Sequence, residues 1–175
     1  MYSGSVGVEF EHVHNEEERL WLYENYEKTM TEPVTDGEKV KALQLLLRTE
    51  SMEKFMHKKF ATHKRYSSEG SEAITVAINA LIAEASKDEL NSVVLGMPHR
   101  GRLATLVVLN DYPFRNLLYK ASGKNDIPED INDRVDDMPT HIAVSNSKTF
   151  SSGDKSANHK KTTLTMVHNP SHLES

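Results

Sequence analysis

The spacing of apolar and polar residues divides the chain into helical, strand-like and irregular stretches. From Asn15 to Met30 apolar and charged positions are mixed, and Asn15 is followed three residues on by Glu18, an N-terminal capping pattern. The pattern predicts a surface helix. Thr31 to Gly37, with Pro33 and Gly37, interrupts it. Asp36 can cap a second helix with Val40, Leu43, Leu46 and Leu47 on one face, and Ser51 starts a third through Phe55, Met56 and Phe60. Residues 1–69 therefore read as a segment of short helices, an arm or lid.

The strongest helical signal follows Gly70 and Ser71, where Ile74, Ala77, Ile78, Leu81, Ile82 and Ala85 recur at the spacing of a buried stripe. Ser92-Val93-Val94-Leu95 is short, apolar and β-branched, and Gly96 bounds it, which suits a buried strand. Gly101 to Asn110 returns to helical periodicity. Asp111 and Pro113 fit the start of another helix, with Phe114, Leu117, Leu118 and Ala121 on a face. Two polar stretches, Ser122 to Pro139 and Ser145 to Lys160, read as loops, and Thr162 to Val167 has strand composition. Helix, strand and helix in close succession predict an α/β layer with parallel strands, so residues 70–175 read as an incomplete α/β domain. The incompleteness is expected because Ser171 and Glu174 have capping-box spacing, which announces a helix just where the chain stops at Ser175.

Composition narrows the function. The chain has 175 residues, enough for one core, and its 21 Lys and Arg against 26 Asp and Glu include no long basic run. A nucleic-acid partner is not expected. With no cysteine, disulfides, thiolate metal sites and a cysteine nucleophile are excluded together. No stretch approaches the ~18 consecutive apolar residues of a membrane span. Met1 to Glu9 has neither a secretory signal nor an organelle transit composition, so no targeting segment is expected within these residues.

Two places could carry chemistry. The first is Gly96-Met97-Pro98-His99-Arg100-Gly101-Arg102-Leu103, between a predicted strand and a predicted helix. Ligands of parallel α/β sheets bind beyond the carboxyl ends of strands, and a helix start offers free N–H groups to an anion. Arg100 and Arg102 add permanent charge with a planar fork for phosphate or carboxylate, and Gly96 and Gly101 permit close backbone approach. A solvated basic turn would have the same composition.

The second is His168-Asn169-Pro170-Ser171-His172-Leu173-Glu174, again after a predicted strand. His99 and His172 would face one crevice if their strands are neighbours, bringing two groups that titrate near neutrality into one pocket. The alternative is that each is an isolated histidine, one of nine in the chain. His57, His63 and Lys64 lie in a basic helix end that solvation explains. His12 and His14 have two-residue spacing suited to one strand face, but no further ligands accompany them to make a metal site.

At these motifs the sequence resembles a family. Val-Val-Leu-Gly-Met-Pro-His-Arg-Gly-Arg-Leu and Asn-Pro-Ser-His-Leu-Glu are similar to the paired signatures of the decarboxylase component of 2-oxoglutarate dehydrogenase and of its relative acting on 2-oxoadipate. Tyr2 to Phe10, Lys64-Arg65-Tyr66 with Glu69-Gly70, and Asp137 to His141 agree in order, so the resemblance spans nearly the whole chain. Pro98, Tyr66 and Phe60 look more like the 2-oxoadipate branch. The family pattern shows Gly-Asp where this chain has Asp136-Asp137.

The resemblance implies a mitochondrial matrix homodimer that uses thiamine diphosphate and Mg2+ to decarboxylate a 2-oxo dicarboxylic acid and pass the acyl group to the lipoyl-bearing acyltransferase component. It implies that Arg100 contacts the cofactor diphosphate and that His99 and His172 face substrate. The Gly-Asp-Gly motif and the Asn that hold magnesium in the family are expected beyond Ser175, so no metal ligand is assigned here. The chain alone is expected to be inactive. The reading from a different class is a binding or assembly module that keeps the fold without cofactor.

Overall fold

The computed structural model describes residues 7–88, 90–123, 141–153 and 158–169. Two compact units meet in sequence between Asp36 and Gly37. In the first, helix α1 (Glu16–Thr31) starts where Asn15 accepts hydrogen bonds from the N–H groups of Glu17 and Glu18, at 3.0 and 3.2 Å. The predicted cap is therefore formed. Phe10 meets the rings of Tyr23 and Tyr26 edge-on at 5.1 and 6.2 Å, and Tyr23 donates to the Glu11 carboxylate at 2.9 Å. No residue of α1 is buried, as a surface helix requires.

The second unit opens with α2 (Asp36–Lys59), one continuous helix of 24 residues where the sequence predicts two. Ser51 starts nothing. No glycine or proline stands between Gly37 and Lys59 to stop the helix, and continuing through Ser51 places Leu45, Thr49, Met52 and Met56 on one buried face. The expected face is also displaced, since Val40, Leu43 and Leu47 are each more than half exposed.

Helix α3 (Ala73–Ala85) follows Gly70 as predicted but buries a different stripe. Thr75, Asn79, Ile82 and Ala83 face inward while Leu81 is 68% exposed and Ile74 lies outward as well. The rotation is tolerated because each buried polar group is matched. Thr75 Oγ1 lies 3.3 Å from Thr49 Oγ1, Asn79 Nδ2 donates to the Ser151 carbonyl at 2.9 Å, and Ser86, in the short turn ending α3, donates to the Ala83 carbonyl at 2.7 Å. A buried polar group with a partner costs little, whereas one without would forbid this orientation.

Strand β1 (Ser92–Leu95) leads to α4 (Arg102–Val108) and α5 (Phe114–Ala121) close to the predicted positions, but β1 is not the buried strand expected, since none of its residues is buried and Val94 is 69% exposed. Strands β2 (Val144–Thr149) and β3 (Lys161–Met166) complete a sheet in the order β1-β3-β2. β1 and β3 are parallel, with Val93 opposite Leu164 and Leu95 opposite Met166. β2 runs antiparallel to β3, so the α/β sheet is parallel where the sequence predicts it and mixed overall.

Residues Ser145 to Thr149 thus leave the predicted loop and join a strand. Their composition, Ser-Asn-Ser-Lys-Thr, carries no apolar alternation, and the strand is held by pairing with β3, including Ser145 Oγ at 2.8 Å from Thr165 Oγ1. The other predicted loop, Ser122 to Pro139, lies almost wholly outside the described residues.

Two apolar clusters hold this unit. Leu45, Ile82, Ala83, Val108, Leu109, Phe150 and Leu164 form one, and Met52, Leu103, Ala104, Leu106, Leu117 and Met166 the other. α4 contributes to both and is almost entirely buried. The turn before it is therefore fixed on one side by a packed helix and on the other by β1.

Candidate active site at the carboxyl ends of β1 and β3

Because β1 and β3 are hydrogen-bonded parallel neighbours, the segments that follow them emerge at the same edge of the sheet. That is the condition under which the two sequence motifs can serve one crevice. After Leu95 the chain passes Gly96, where an added Cβ would lie 3.9 Å from the Val167 side chain, and turns through Met97 to Arg100. The His99 carbonyl accepts from the Arg102 N–H at 3.0 Å, and Gly101, at φ +73°, begins α4 from the left-handed region. Here glycine is required on two grounds. A side chain would be strained at this φ, and its Cβ would press on the Ser68 Cβ at 3.3 Å.

The turn is walled by the loop from Tyr66 to Glu72. Gly101 donates to the Tyr66 carbonyl at 2.9 Å, and Tyr66, itself at φ +46°, sets its ring 5.2 Å from that of His99 at an interplanar angle of 43°. Arg100 reaches the same loop, with Nε donating to Ser71 Oγ at 3.3 Å and Nη2 to the Glu69 carbonyl. Glu72 Oε1 accepts the Gly70 N–H at 2.9 Å. Its carboxyl is held below the usual range by its own backbone N–H, then by that of Gly70, with a smaller contribution from the Arg100 charge. His99 and Arg100 are both exposed and so open to a ligand.

Arg102 belongs elsewhere, which corrects the expectation that both arginines serve an anion. It is fully buried and donates through Nη1 to the Met97 carbonyl at 3.0 Å and through Nη2 to the carbonyls of Ile142, at 2.7 Å, and Val167. Those three carbonyls belong to the segments that follow β1, precede β2 and follow β3. Burial pushes the guanidinium pKa down from its ordinary value. Arg102 is thus a clasp at the sheet edge, and Arg100 is the cation left facing outward at this turn.

Past β3, Val167 donates to the Leu95 carbonyl at 3.2 Å, and His168 Nδ1 lies 2.8 Å from the His141 carbonyl. A carbonyl only accepts, so Nδ1 is the donor in this contact. His172 lies outside the described residues, as do Ser171 and Glu174. The entry to its motif is nonetheless anchored beside the first.

His12 lies 3.8 Å from Glu9, and His63 packs edge-on against Phe60 at 5.8 Å. Among the described residues, no group of three or more His, Cys, Asp or Glu could hold a metal ion. No described helix is long and apolar enough to cross a membrane. In the sequence the loop from Tyr66 to Glu72 is marked by resemblance and, at Gly70 and Ser71, by the start of the next helix. Its turn-rich Ser-Ser-Glu-Gly-Ser run between two helices is the local signal that residue patterns alone offered.

No protein-family model matches the chain. Individual relatives do. A probable 2-oxoadipate dehydrogenase complex component E1 homolog of Dictyostelium discoideum is 38% identical over 173 residues, 99% of this chain and 19% of the relative. A homolog of the same description from Caenorhabditis elegans is 33% identical over 99% of the chain and 18% of its own length. The 2-oxoglutarate dehydrogenase E1 component of Haemophilus influenzae is 37% identical over 99% of the chain and 17% of its own length. The chain thus spans under one fifth of the curated relatives it matches, and both descriptions occur at similar identity. Over 99% of its length, and at 33–38% identity to these three proteins, the chain is similar to part of the 2-oxoadipate and 2-oxoglutarate dehydrogenase E1 components.

Proposed function

We propose that this chain forms part of the active site of a thiamine-diphosphate-dependent enzyme. It decarboxylates a 2-oxo dicarboxylic acid, 2-oxoadipate or 2-oxoglutarate, and passes the acyl group to a lipoyl group on the acyltransferase component of a dehydrogenase complex. The observation that carries this reading is the exposed His99–Arg100 turn at the end of β1, next to the parallel strand from which the His172 motif departs. The names of the relatives support the same class of enzyme. A homodimer, magnesium and a mitochondrial matrix location complete the proposal by family resemblance.

The described residues fit one part of the cofactor. Arg100 offers a permanent cation whose Nε and Nη2 are already oriented by Ser71 and Glu69, leaving further N–H groups for a diphosphate oxygen. They do not supply a metal-ligand cluster. Thiamine diphosphate, when bound, supplies the electron sink for decarboxylation. The chain's own residues position and neutralise. Arg100 holds diphosphate charge. His99, its ring placed by Tyr66, and His172 bind substrate carboxylate and exchange protons at their imidazole nitrogens. Pro98 fixes its own φ and restricts Met97, which sets the direction of His99 and with it the preference between acids that differ by one methylene.

The test uses the full-length protein containing this segment. Arg100→Ala should raise the thiamine diphosphate concentration for half-maximal activity by roughly tenfold or more, the loss of one charge-assisted contact, with turnover at saturation largely kept. His172→Ala should lower turnover with cofactor retained. The kcat/KM for 2-oxoadipate should at least equal that for 2-oxoglutarate. Unchanged cofactor dependence in Arg100→Ala would remove the diphosphate assignment, and a wild-type protein that binds no cofactor would favour the assembly module. The 175-residue chain alone should show no magnesium-dependent cofactor binding by calorimetry.

A further inference from the structure

We infer that Glu53, in the middle of α2, is a positioning residue for the His99–Arg100 turn. The inference rests on the reading of that turn given above. Oε1 of Glu53 accepts the Ser68 N–H and the Ser68 hydroxyl, both at 2.7 Å, and Oε2 accepts the Ser67 hydroxyl at 2.5 Å. Three donors from two adjacent residues therefore converge on one half-buried carboxylate. Hydrogen bonds to an ionised acceptor are among the strong ones, and one of these fixes backbone.

The two residues so held immediately follow Tyr66, whose φ of +46° is rare for a bulky side chain and persists only where its surroundings impose it. On one side the imposition is the Glu53 carboxylate. On the other it is the Gly101 N–H, which donates to the Tyr66 carbonyl at 2.9 Å. Ser68 is fully buried, and a Cβ added at Gly101 would lie 3.3 Å from the Ser68 Cβ, so the clamped loop packs closely against the turn. The consequences reach both candidate site residues. Tyr66 presents its ring to His99 at 5.2 Å, and the same loop supplies Ser71 Oγ and the Glu69 carbonyl to Arg100. Glu53 touches neither ligand-facing group. It fixes the loop against which both are oriented, from a helix that is itself locked into the core by Met52 and Met56.

The experiment compares the full-length protein with Glu53→Ala, Glu53→Gln and Ser67→Ala by hydrogen–deuterium exchange, by the rate of carbethoxylation at each histidine, and by kcat and KM. In Glu53→Ala the amides of Ser68 and Gly101 should exchange roughly 10- to 100-fold faster, as expected when hydrogen bonds to a charged group are removed. His99 should become more reactive while His12 and His14 do not, and kcat/KM should fall. Glu53→Gln keeps one acceptor oxygen for Ser68 and should fall between wild type and alanine. Ser67→Ala removes one donor and reports the same trend if the alanine variant does not fold. Unchanged exchange at Ser68 and Gly101 would overturn the inference, as would a uniform rise in reactivity at every histidine, or faster exchange with kcat/KM untouched. If the wild-type protein turned over no 2-oxo acid, the proposed function would fail. The exchange and His99 results would still decide whether Glu53 positions the turn.

Discussion

Replacing Arg102 by methionine, of similar length and without donors, asks whether the buried clasp stabilises the sheet edge or merely occupies it. Three hydrogen bonds from a charged donor are lost, to the carbonyls of Met97, Ile142 and Val167. Such bonds contribute about 1.5–3 kcal/mol each, but these carbonyls belong to residues that are not fully buried, so water can replace part of the loss. Against this stands the desolvation of a fully buried guanidinium whose Nε has no partner, a cost of several kcal/mol that methionine removes. If the bonds prevail, Arg102→Met destabilises by about 2–4 kcal/mol. Urea unfolding followed by circular dichroism measures it, and exchange of the Val167 amide, bonded to the Leu95 carbonyl, localises it. Arg102→Lys should recover only part of the loss, because an ammonium cannot reach three separated carbonyls in the fork geometry. A methionine variant within about 0.5 kcal/mol of wild type, or more stable, would refute the argument, since desolvation would then outweigh the clasp.

Gly101→Ala should destabilise by about 1–2 kcal/mol, the cost of a side chain in the left-handed region, with a further contribution from the 3.3 Å approach to Ser68; an unchanged urea midpoint would mean that the turn relaxes freely. Lys41 gives a pH-dependent prediction. Its pKa is lowered chiefly by burial, then by the Lys148 and Arg48 charges, with Asp111 opposing. The folded state releases the Lys41 proton first, so below its folded pKa the charge penalises folding, and the penalty is relieved as pH rises from there to the unfolded value near 10.4. Lys41→Met should therefore be more stable than wild type at neutral pH, and the gap should close in alkaline solution. A gap that is constant with pH would assign the effect to packing.

The elements that could be read from the sequence are those in which local chemistry and tertiary contacts agree. Asn15 caps α1 with its own side chain, and the β-branched run Ser92–Leu95 and its counterpart at Thr162 form the parallel pair. Where they disagree, the pattern misleads. A periodic apolar stripe predicts that Ile74 and Leu81 are buried, yet α3 turns Thr75 and Asn79 inward because Thr49 and the Ser151 carbonyl meet them there. Those partners lie 26 and 72 residues away in sequence. No window along the helix contains them. β2 fails for the same reason, since Ser145 to Thr149 carries too little apolar character to be a strand until β3 provides the pairing.

The candidate site divides along the same line. A strand bounded by glycine and a helix that starts three residues after a histidine mark a candidate ligand-binding turn, and the structure leaves His99 and Arg100 exposed there. Composition could not separate Arg100 from Arg102, which are two residues apart and chemically identical. Their fates are decided by Gly101. Its left-handed φ ends the turn between them, leaving Arg100 outside against the loop of Glu69 and Ser71 and placing Arg102 in the first turn of α4, directed into the core. The rest of the wall comes from Glu53 and Tyr66, distant from Arg100 in sequence and joined to the turn only by tertiary hydrogen bonds. The motif therefore marks the turn, and the left-handed glycine inside it separates the arginine that is exposed from the arginine that is buried.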